Sequence, residues 1–422
     1  MNRKCLPFAP SGTISLPPSK SYTHRALLAA ALANGTSILS PYRMSDDILA
    51  TQEAISSLGA LCLSGNRCLA VTGGRFRKKP HTIFCRESGS TLRFLIPVLA
   101  ALGVTATYHG TGRLPSRPIS PYIPPLQANG ASFSGKMLPF TVSGQLQPGN
   151  YSIAGNISSQ FITGLLLALP LLSDDSQITI LNPLESAPYV HMTLELLSQF
   201  GILIHQTETG FLVPGNQQYR PCNYPIEGDA SQASCFAILG CLGSNPITLS
   251  GLRPDSAQGD QLLFSLLEDC GASVCWKNND LTIHPAQTLS PFTFDISQCP
   301  DLAPAVALLG CLCQGRSKIT GCQRLRLKES DRFSTIVAAL TSIGGKLQKA
   351  DDCIVIDGIN SFSGGIANSF GDHRIVMALS VAAAFSSAPI IISHAEAIEK
   401  SYPDFYQDYH ILGGISHVID LP

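Results

Sequence analysis

The sequence predicts a mixed α/β fold made of six similar modules, and three observations predict it. A segment that opens with small polar residues and runs into an Ala/Leu-rich helix recurs six times, as SKSYTHRALLAAALA, ESGSTLRFLIPVLAAL, ISSQFITGLLLALPLL, EGDASQASCFAILGCL, CPDLAPAVALLGCL and FGDHRIVMALSVAAAF. With Ser21, Ser90, Ser159, Asp229, Asp301 and Asp372 as markers, the spacings are 69, 69, 70, 72 and 71 residues. A second, amphipathic helix recurs out of phase and ends at Gly59, Gly130, Gly201, Gly271, Gly344 and Gly413, spaced by 71, 71, 70, 73 and 69 residues. Glycine suits the left-handed backbone that closes a helix. Between the helices, β-branched runs bounded by turn residues, such as SQITIL, NPITLSG and CIVIDGI, read as strands. Two independent markers share one period, so the repeat organises the chain.

Length and composition bound the rest. The 422 residues allow two or three domains at roughly 150 residues each. Charged residues are 14% of the chain, apolar ones 45%, and 28 Lys and Arg nearly cancel 29 Asp and Glu. That balance excludes a nucleic-acid binder with a basic face and a disordered or acidic-tail protein. The apolar stretch 162–172 contains Pro170 and falls far short of the roughly 20 residues that span a membrane. The N-terminus lacks the apolar core of a secretion signal. A soluble, cytoplasmic protein without membrane attachment is expected. The 14 cysteines then read as reduced thiols. The close pairs Cys62/Cys68, Cys235/Cys241 and Cys311/Cys313 lack C-x-x-C spacing, so neither a metal nor a cofactor is expected.

The first helix type is apolar almost all round, which means burial on every side; the second shows a polar face and belongs on an outer surface. A buried helix leaves its first N–H groups unpaired. The Ser, Thr and Asp residues at the openings can cap them. Alternatively, several N-termini present their N–H groups and positive dipole ends to an anion. In a chain with few charges, Lys20, Arg25, Arg93, Arg117, Lys328, Arg332 and Arg374 all lie in or beside helix openings. Such a gathering suits a small, multiply anionic substrate carrying phosphate or carboxylate. Neither G-x-x-x-x-G-K-[ST] nor G-x-G-x-x-G occurs, which disfavours a nucleotide.

Ten short pieces then carry a resemblance. They are SKSYTHRALL at 19–28, SGSTLR at 88–93, RPIS at 117–120, SSQF at 158–161, SAPY at 186–189, EGDAS at 227–231, PDLAP at 300–304, LKESDR at 327–332, GDHR at 371–374 and EKSYPD at 399–404. In this order and spacing the chain resembles the 5-enolpyruvylshikimate-3-phosphate (EPSP) synthase family, whose members join shikimate 3-phosphate to phosphoenolpyruvate. The resemblance implies two similar globular domains of three modules each, in the inside-out α/β barrel arrangement of enolpyruvyl transferases. Residues 1–18 with 226–422 would form the first domain and 19–225 the second, with the active site in the cleft between them. The expected reaction is addition followed by elimination, serving aromatic amino-acid biosynthesis, and a monomer is expected.

The resemblance also implies roles for particular residues. Lys20, Ser21 and Arg25 would hold shikimate 3-phosphate from the first helix opening, as would Ser158, Ser159 and Gln160, with Ser186 and Tyr189 nearby. Arg117, Arg332, Arg374 and Lys400 would clamp phosphoenolpyruvate, helped by Lys20 and Gln160, because guanidinium forks match carboxylate and phosphate geometry. Gly89 would let backbone approach that ligand closely. Asp301 would be the base for the 5-hydroxyl and Glu329 the proton donor and acceptor at C3, while Lys20 and Lys328 would stabilise developing charge. Taken singly, Asp229 and Asp301 read as helix N-terminal residues, residues 328–332 as a solvated charge run and His373 as a core histidine. Asp372 and His373 are adjacent on one helix and cannot form a triad pair.

Three departures from the family pattern stand out. Glu87 replaces the usual Asn two residues before Gly89, and Ser90 replaces the Thr after it. A carboxylate beside an anion site is unfavourable unless it is turned away or paired with Arg86 or Arg93. Arg324 stands where some members have an Asn that helps bind shikimate 3-phosphate. Pro118, Pro121, Pro124 and Pro125 crowd the second module's outer helix, which should begin late or irregularly. These departures leave the function standing and make glyphosate sensitivity a matter for measurement. The sister transferase acting on UDP-N-acetylglucosamine usually carries a reactive cysteine five residues before the Arg-Pro pair, where this chain has Gly112. A catalytically inactive repeat protein is the remaining alternative, and Asp301, Glu329 and both lysines speak against it.

Overall fold

The structure, a computed structural model, describes residues 1–74 and 76–420. Its helices are α1 (Lys20–Leu32), α2 (Asp46–Leu58), α3 (Gly89–Ala101), α4 (Ile123–Ala128), α5 (Ser159–Ala168) and α6 (Ala187–Gln199), followed by α7 (Ala230–Leu242), α8 (Leu262–Asp269), α9 (Ala303–Leu312), α10 (Arg332–Thr341), α11 (His373–Ala382) and α12 (Phe405–Ile411). Odd-numbered helices are the Ala/Leu-rich type. All of α9 from Ala303 to Cys311 is buried, and so is all of α7 from Ala230 to Cys241. Even-numbered helices bury one face, as α2 does through Ile48, Thr51, Ala54, Ile55 and Leu58. The glycines that close them, Gly59, Gly130, Gly201, Gly271, Gly344 and Gly413, have φ of 123°, 102°, 78°, 110°, 102° and 93°. That left-handed region is nearly free of cost to glycine alone.

Among the described residues the strands form six four-stranded sheets with one pairing scheme. In each, the first two strands run parallel, and the third and fourth add antiparallel, as 81–84, 106–109, 140–144 and 131–133 do in the second module. The repeat reaches single residues. A threonine pair bridges the second and third strands of three modules, Thr36–Thr72, Thr107–Thr141 and Thr248–Thr282, with oxygens 2.8, 2.8 and 2.9 Å apart.

Close contacts divide the chain into two units, Met1–Pro17 with Glu227–Pro422, and Pro18–Ile226. Each unit holds three modules and closes on itself with a borrowed strand. In the second unit, Asn223–Pro225 pairs with Thr36–Ser40 and completes the first module's sheet from the far end of the segment. In the first unit, Gly12–Ser15 pairs with Ile247–Ser250. Asn2–Leu6 lies between Ile390–Ser393 and Ile415–Ile419, so the sixth module takes its third strand from the N-terminus. No helix among the described residues is long and apolar enough to cross a membrane.

Five of the six buried helices carry a side-chain cap. Ser19, Ser88, Ser158, Asp229 and Asp372 accept from the backbone N–H of Tyr22, Thr91, Gln160, Gln232 and Arg374. Three of these caps precede the sequence markers Ser21, Ser90 and Ser159 by one or two residues. The sixth helix differs: a 3-10 turn, Pro300–Leu302, leads into α9, and Asp301 in that turn caps nothing. Where the second module's outer helix was expected to start late, a 3-10 turn at Ser120–Tyr122 precedes a six-residue α4. Pro124 and Pro125 fall in its first turn, where missing N–H donors cost nothing.

Candidate active site

In the second unit the candidate residues gather at the openings of α1, α3 and α5. Lys20 is the first residue of α1, and its Nζ lies 2.7 Å from Asp47 Oδ2 on α2. Asp47 is largely buried, so the pair holds the ammonium in one place rather than leaving it to sweep solvent. Arg25, one turn deeper, is 2% exposed. Its guanidinium donates to Thr193 Oγ1 at 2.8 Å, Ser21 O at 2.6 Å, Tyr189 O at 2.9 Å and Thr163 Oγ1 at 3.3 Å. Arg25 therefore fixes the backbones of Ser21 and Tyr189, two of the proposed ligand contacts.

Gln160, near the start of α5, is held at both ends of its amide. Its Oε1 accepts from Arg93 Nη1 at 2.6 Å and its Nε2 donates to Ser90 Oγ at 3.0 Å. Arg93 also lies over the Phe161 ring at 4.9 Å and donates to Pro118 O at 3.1 Å. Ser186 sits just before α6 with φ of 56°, a left-handed conformation that costs a non-glycine residue energy. Gly89 opens α3 directly beneath Arg117. A Cβ there would come within 2.9 Å of the Arg117 Nη1, so the absent side chain is what lets the guanidinium lie over the helix opening.

In the first unit the cluster centres on Arg332, the first residue of α10 and 1% exposed. Its Nε lies 2.8 Å from Asp372 Oδ2 and its Nη2 3.2 Å from Asp372 Oδ1, a two-pronged grip. The same guanidinium meets Asp301 Oδ1 at 2.7 Å and Glu329 Oε2 at 2.8 Å. Lys328 Nζ is 3.1 Å from Asp301, and Arg374 Nη2 is 4.0 Å away. Arg374 donates to the Ser231 carbonyl at 2.6 Å, and its Nε has no partner among the described residues. Lys400 ends a 3-10 turn, Ala395–Lys400, and is buried.

These contacts decide the charge states. Burial alone would raise the Asp301 carboxyl, but Lys328, Arg332 and Arg374 outweigh it and hold Asp301 well below the usual carboxylate range. Burial pulls the Lys328 ammonium below its usual range, with Arg332 and Arg324 adding to the effect and Asp301 and Glu329 opposing it. Arg332 stays charged because Asp372, Glu329 and Asp301 more than offset its burial.

Residues 328–332 are thus no solvated charge run: three cations interleave with three carboxylates. Asp301 is released from capping for that network, whereas Asp229 does cap α7, with Oδ1 2.9 Å from Gln232 N. Sequence reasoning gave no role to Asp47 or Ser330. Ser330 Oγ donates to Asp372 Oδ2 at 2.9 Å and braces the carboxylate that grips Arg332. The doubled acid of SDDIL, at the first turn of an outer helix, was the available signal for Asp47. Arg117 and Lys328, expected beside helix openings, lie just after the 3-10 turns Leu114–Ser116 and Gln323–Leu327. Arg86 pairs with Glu53 at 3.1 Å on the surface, while the Glu87 carboxylate lies against Gly112.

The six-module fold is shared with solved enolpyruvyl transferases. It superposes on EPSP synthase from Acinetobacter baumannii with a TM-score of 0.84 at 23% identity, covering 99% of this chain and all of that one. It superposes on the enolpyruvyl transferase NikO from Streptomyces tendae with a TM-score of 0.82 at 18% identity, covering 99% and 98%. A family profile described as EPSP synthase (3-phosphoshikimate 1-carboxyvinyltransferase) matches residues 9–409. The 3-phosphoshikimate 1-carboxyvinyltransferase of Clostridium kluyveri is 42% identical over 96% of this chain and 95% of its own length. That of Clostridium novyi is 38% identical over 98% of each. The chain belongs to the EPSP synthase family.

Proposed function

We propose that the chain transfers the enolpyruvyl group of phosphoenolpyruvate to the 5-hydroxyl of shikimate 3-phosphate, with Asp301 as the base and Glu329 as the acid at C3. The observation that carries this assignment is the release of Asp301 from helix capping into contact with Lys328, Arg332 and Arg374. A carboxylate so held is ionised and aimed, which a general base requires.

Phosphoenolpyruvate is an electron-rich enol, so its C2 accepts an oxygen nucleophile only as C3 takes up a proton. Glu329, protonated from solvent before the step, gives that proton while Asp301 receives the one leaving the 5-hydroxyl, and a new C2–O bond forms. The tetrahedral ketal then breaks its C2–O bond to phosphate and returns the C3 proton to Glu329. Binding of an anion shares the pull of Arg332 and Arg374, so Asp301 becomes more basic when substrate arrives.

Lys20, Ser21, Arg25, Ser158, Ser159, Gln160, Ser186 and Tyr189 are assigned to shikimate 3-phosphate, with Asp301 and Lys328. Lys20, Gly89, Arg117, Gln160, Arg332, Arg374 and Lys400 are assigned to phosphoenolpyruvate. The buried Arg374 Nε, a donor with no partner among the described residues, supports an anion there. The same reading makes the protein a cytoplasmic monomer that works without metal or cofactor.

Asp301→Ala tests the base. Turnover is expected to fall by about a hundredfold or more, while calorimetry still detects shikimate 3-phosphate binding. Near-normal turnover in that variant would remove Asp301 from the role.

A further inference from the structure

Glu87 takes no part in the chemistry described above, yet it touches the loop that carries Arg117. The strand His81–Phe84 runs parallel to Ala106–His109, and the two chains stay in contact beyond the sheet. Cys85 N donates to His109 O at 2.8 Å and Thr111 N donates to Arg86 O at 2.7 Å. The next contact is made by a side chain: both carboxylate oxygens of Glu87 lie over Gly112, where an added methyl would overlap them. Gly112 has φ of 56° and is exposed. A 3-10 turn, Leu114–Ser116, follows and delivers Arg117, whose N–H donates to Leu114 O at 3.1 Å and whose guanidinium lies over Gly89.

We propose that Glu87 is a positioning residue: its half-buried side chain backs the loop at Gly112 and so sets how Arg117 sits over Gly89. The inference rests on the reading of Arg117 as a phosphoenolpyruvate ligand. Three successive contacts tie residues 86–89 to residues 111–117: one backbone hydrogen bond, the Glu87 carboxylate on Gly112, and Arg117 over Gly89. The middle contact depends on the length of a side chain, not on backbone. Without it that contact at Gly112 is lost, and a displacement of about an ångström at a positioning group is enough to weaken binding severalfold.

The test is steady-state kinetics on Glu87→Ala, Glu87→Gln, Gly112→Ala, the double variant Glu87→Ala with Gly112→Ala, and Arg117→Ala, each with a thermal melt. Glu87→Ala is expected to raise the phosphoenolpyruvate KM about tenfold and to leave the shikimate 3-phosphate KM within about twofold. Glu87→Gln keeps the shape and should stay near the parent. Gly112→Ala should raise the same KM by driving a methyl into the carboxylate, and the double variant should recover part of that loss, a non-additivity expected of touching groups. An unchanged phosphoenolpyruvate KM in Glu87→Ala, alongside a raised one in Arg117→Ala, overturns the inference and leaves Arg117 in place. Equal rises in both KM values, or a Glu87→Gln as impaired as Glu87→Ala, also overturn it. An unaltered phosphoenolpyruvate KM in Arg117→Ala overturns the reading of Arg117 and the inference with it.

Discussion

Arg332 shows what the site demands of a single side chain. It is 1% exposed and meets Asp301, Glu329 and Asp372. Its burial is tolerable only because each carboxylate offsets part of the lost hydration, and each carboxylate in turn needs the guanidinium. Arg332→Leu removes the cation and leaves buried acids facing one another. Breaking a buried ion pair costs about 3–5 kcal/mol, and urea unfolding of the variant should show a loss of at least that order. The identities of such residues were readable as motifs, because LKESDR, GDHR and PDLAP fall in register with the family. Their pairing was not. The spacing of Asp301 at a helix opening pointed equally to a cap, as it correctly did for Asp229, and only the 3-10 turn before α9 separates the two cases. Asp47 escaped because an acid in the first turn of an outer helix is ordinary on dipole grounds alone.

At the scale of elements, buried polar chains tie the helices of a unit together. His24 Nδ1 on α1 lies 2.7 Å from Thr51 Oγ1 on α2, which lies 2.6 Å from Thr91 Oγ1 on α3, which donates to Ser88 Oγ at 2.8 Å. Burial, helped by Lys20 and Arg25 and opposed by Asp47, holds His24 down to about 3. It therefore stays neutral in the folded protein, while the unfolded chain takes up a proton near pH 6.5. Stability must fall as pH drops below about 6.5 and keep falling until His24 itself titrates in the folded state. Between pH 7.5 and pH 5 this group contributes a loss of about 2 kcal/mol. His24→Gln should be less acid-sensitive by that amount in urea unfolding at the two pH values, whatever its stability at pH 7.5. An identical acid dependence would show that His24 is charged in the folded state. The helices themselves were legible to within a few residues, since burial periodicity and terminal glycines are local signals. The hydroxyl chain joining them was not, because it depends on which faces meet.

The whole molecule is a sixfold repeat that neither begins nor ends on a module boundary. Asn2–Leu6 supplies the third strand of the sixth sheet, and Asn223–Pro225 the first strand of the first. The period near 70 residues made the modules visible in sequence. The borrowed strands were invisible there, because a five-residue run such as NRKCL carries no record of its distant partners. The few cations also changed meaning: read alone they suggested a bare anion site, but in the first unit Arg332 and Lys328 come with the carboxylates of Asp301 and Asp372, which orient them. On the proposed reading the site moves protons as well as holding phosphate. The most direct test of that claim is release of inorganic phosphate from phosphoenolpyruvate by the purified chain, followed in parallel with shikimate 3-phosphate and with UDP-N-acetylglucosamine. Release with shikimate 3-phosphate alone is the expected result; release with UDP-N-acetylglucosamine alone would contradict the account.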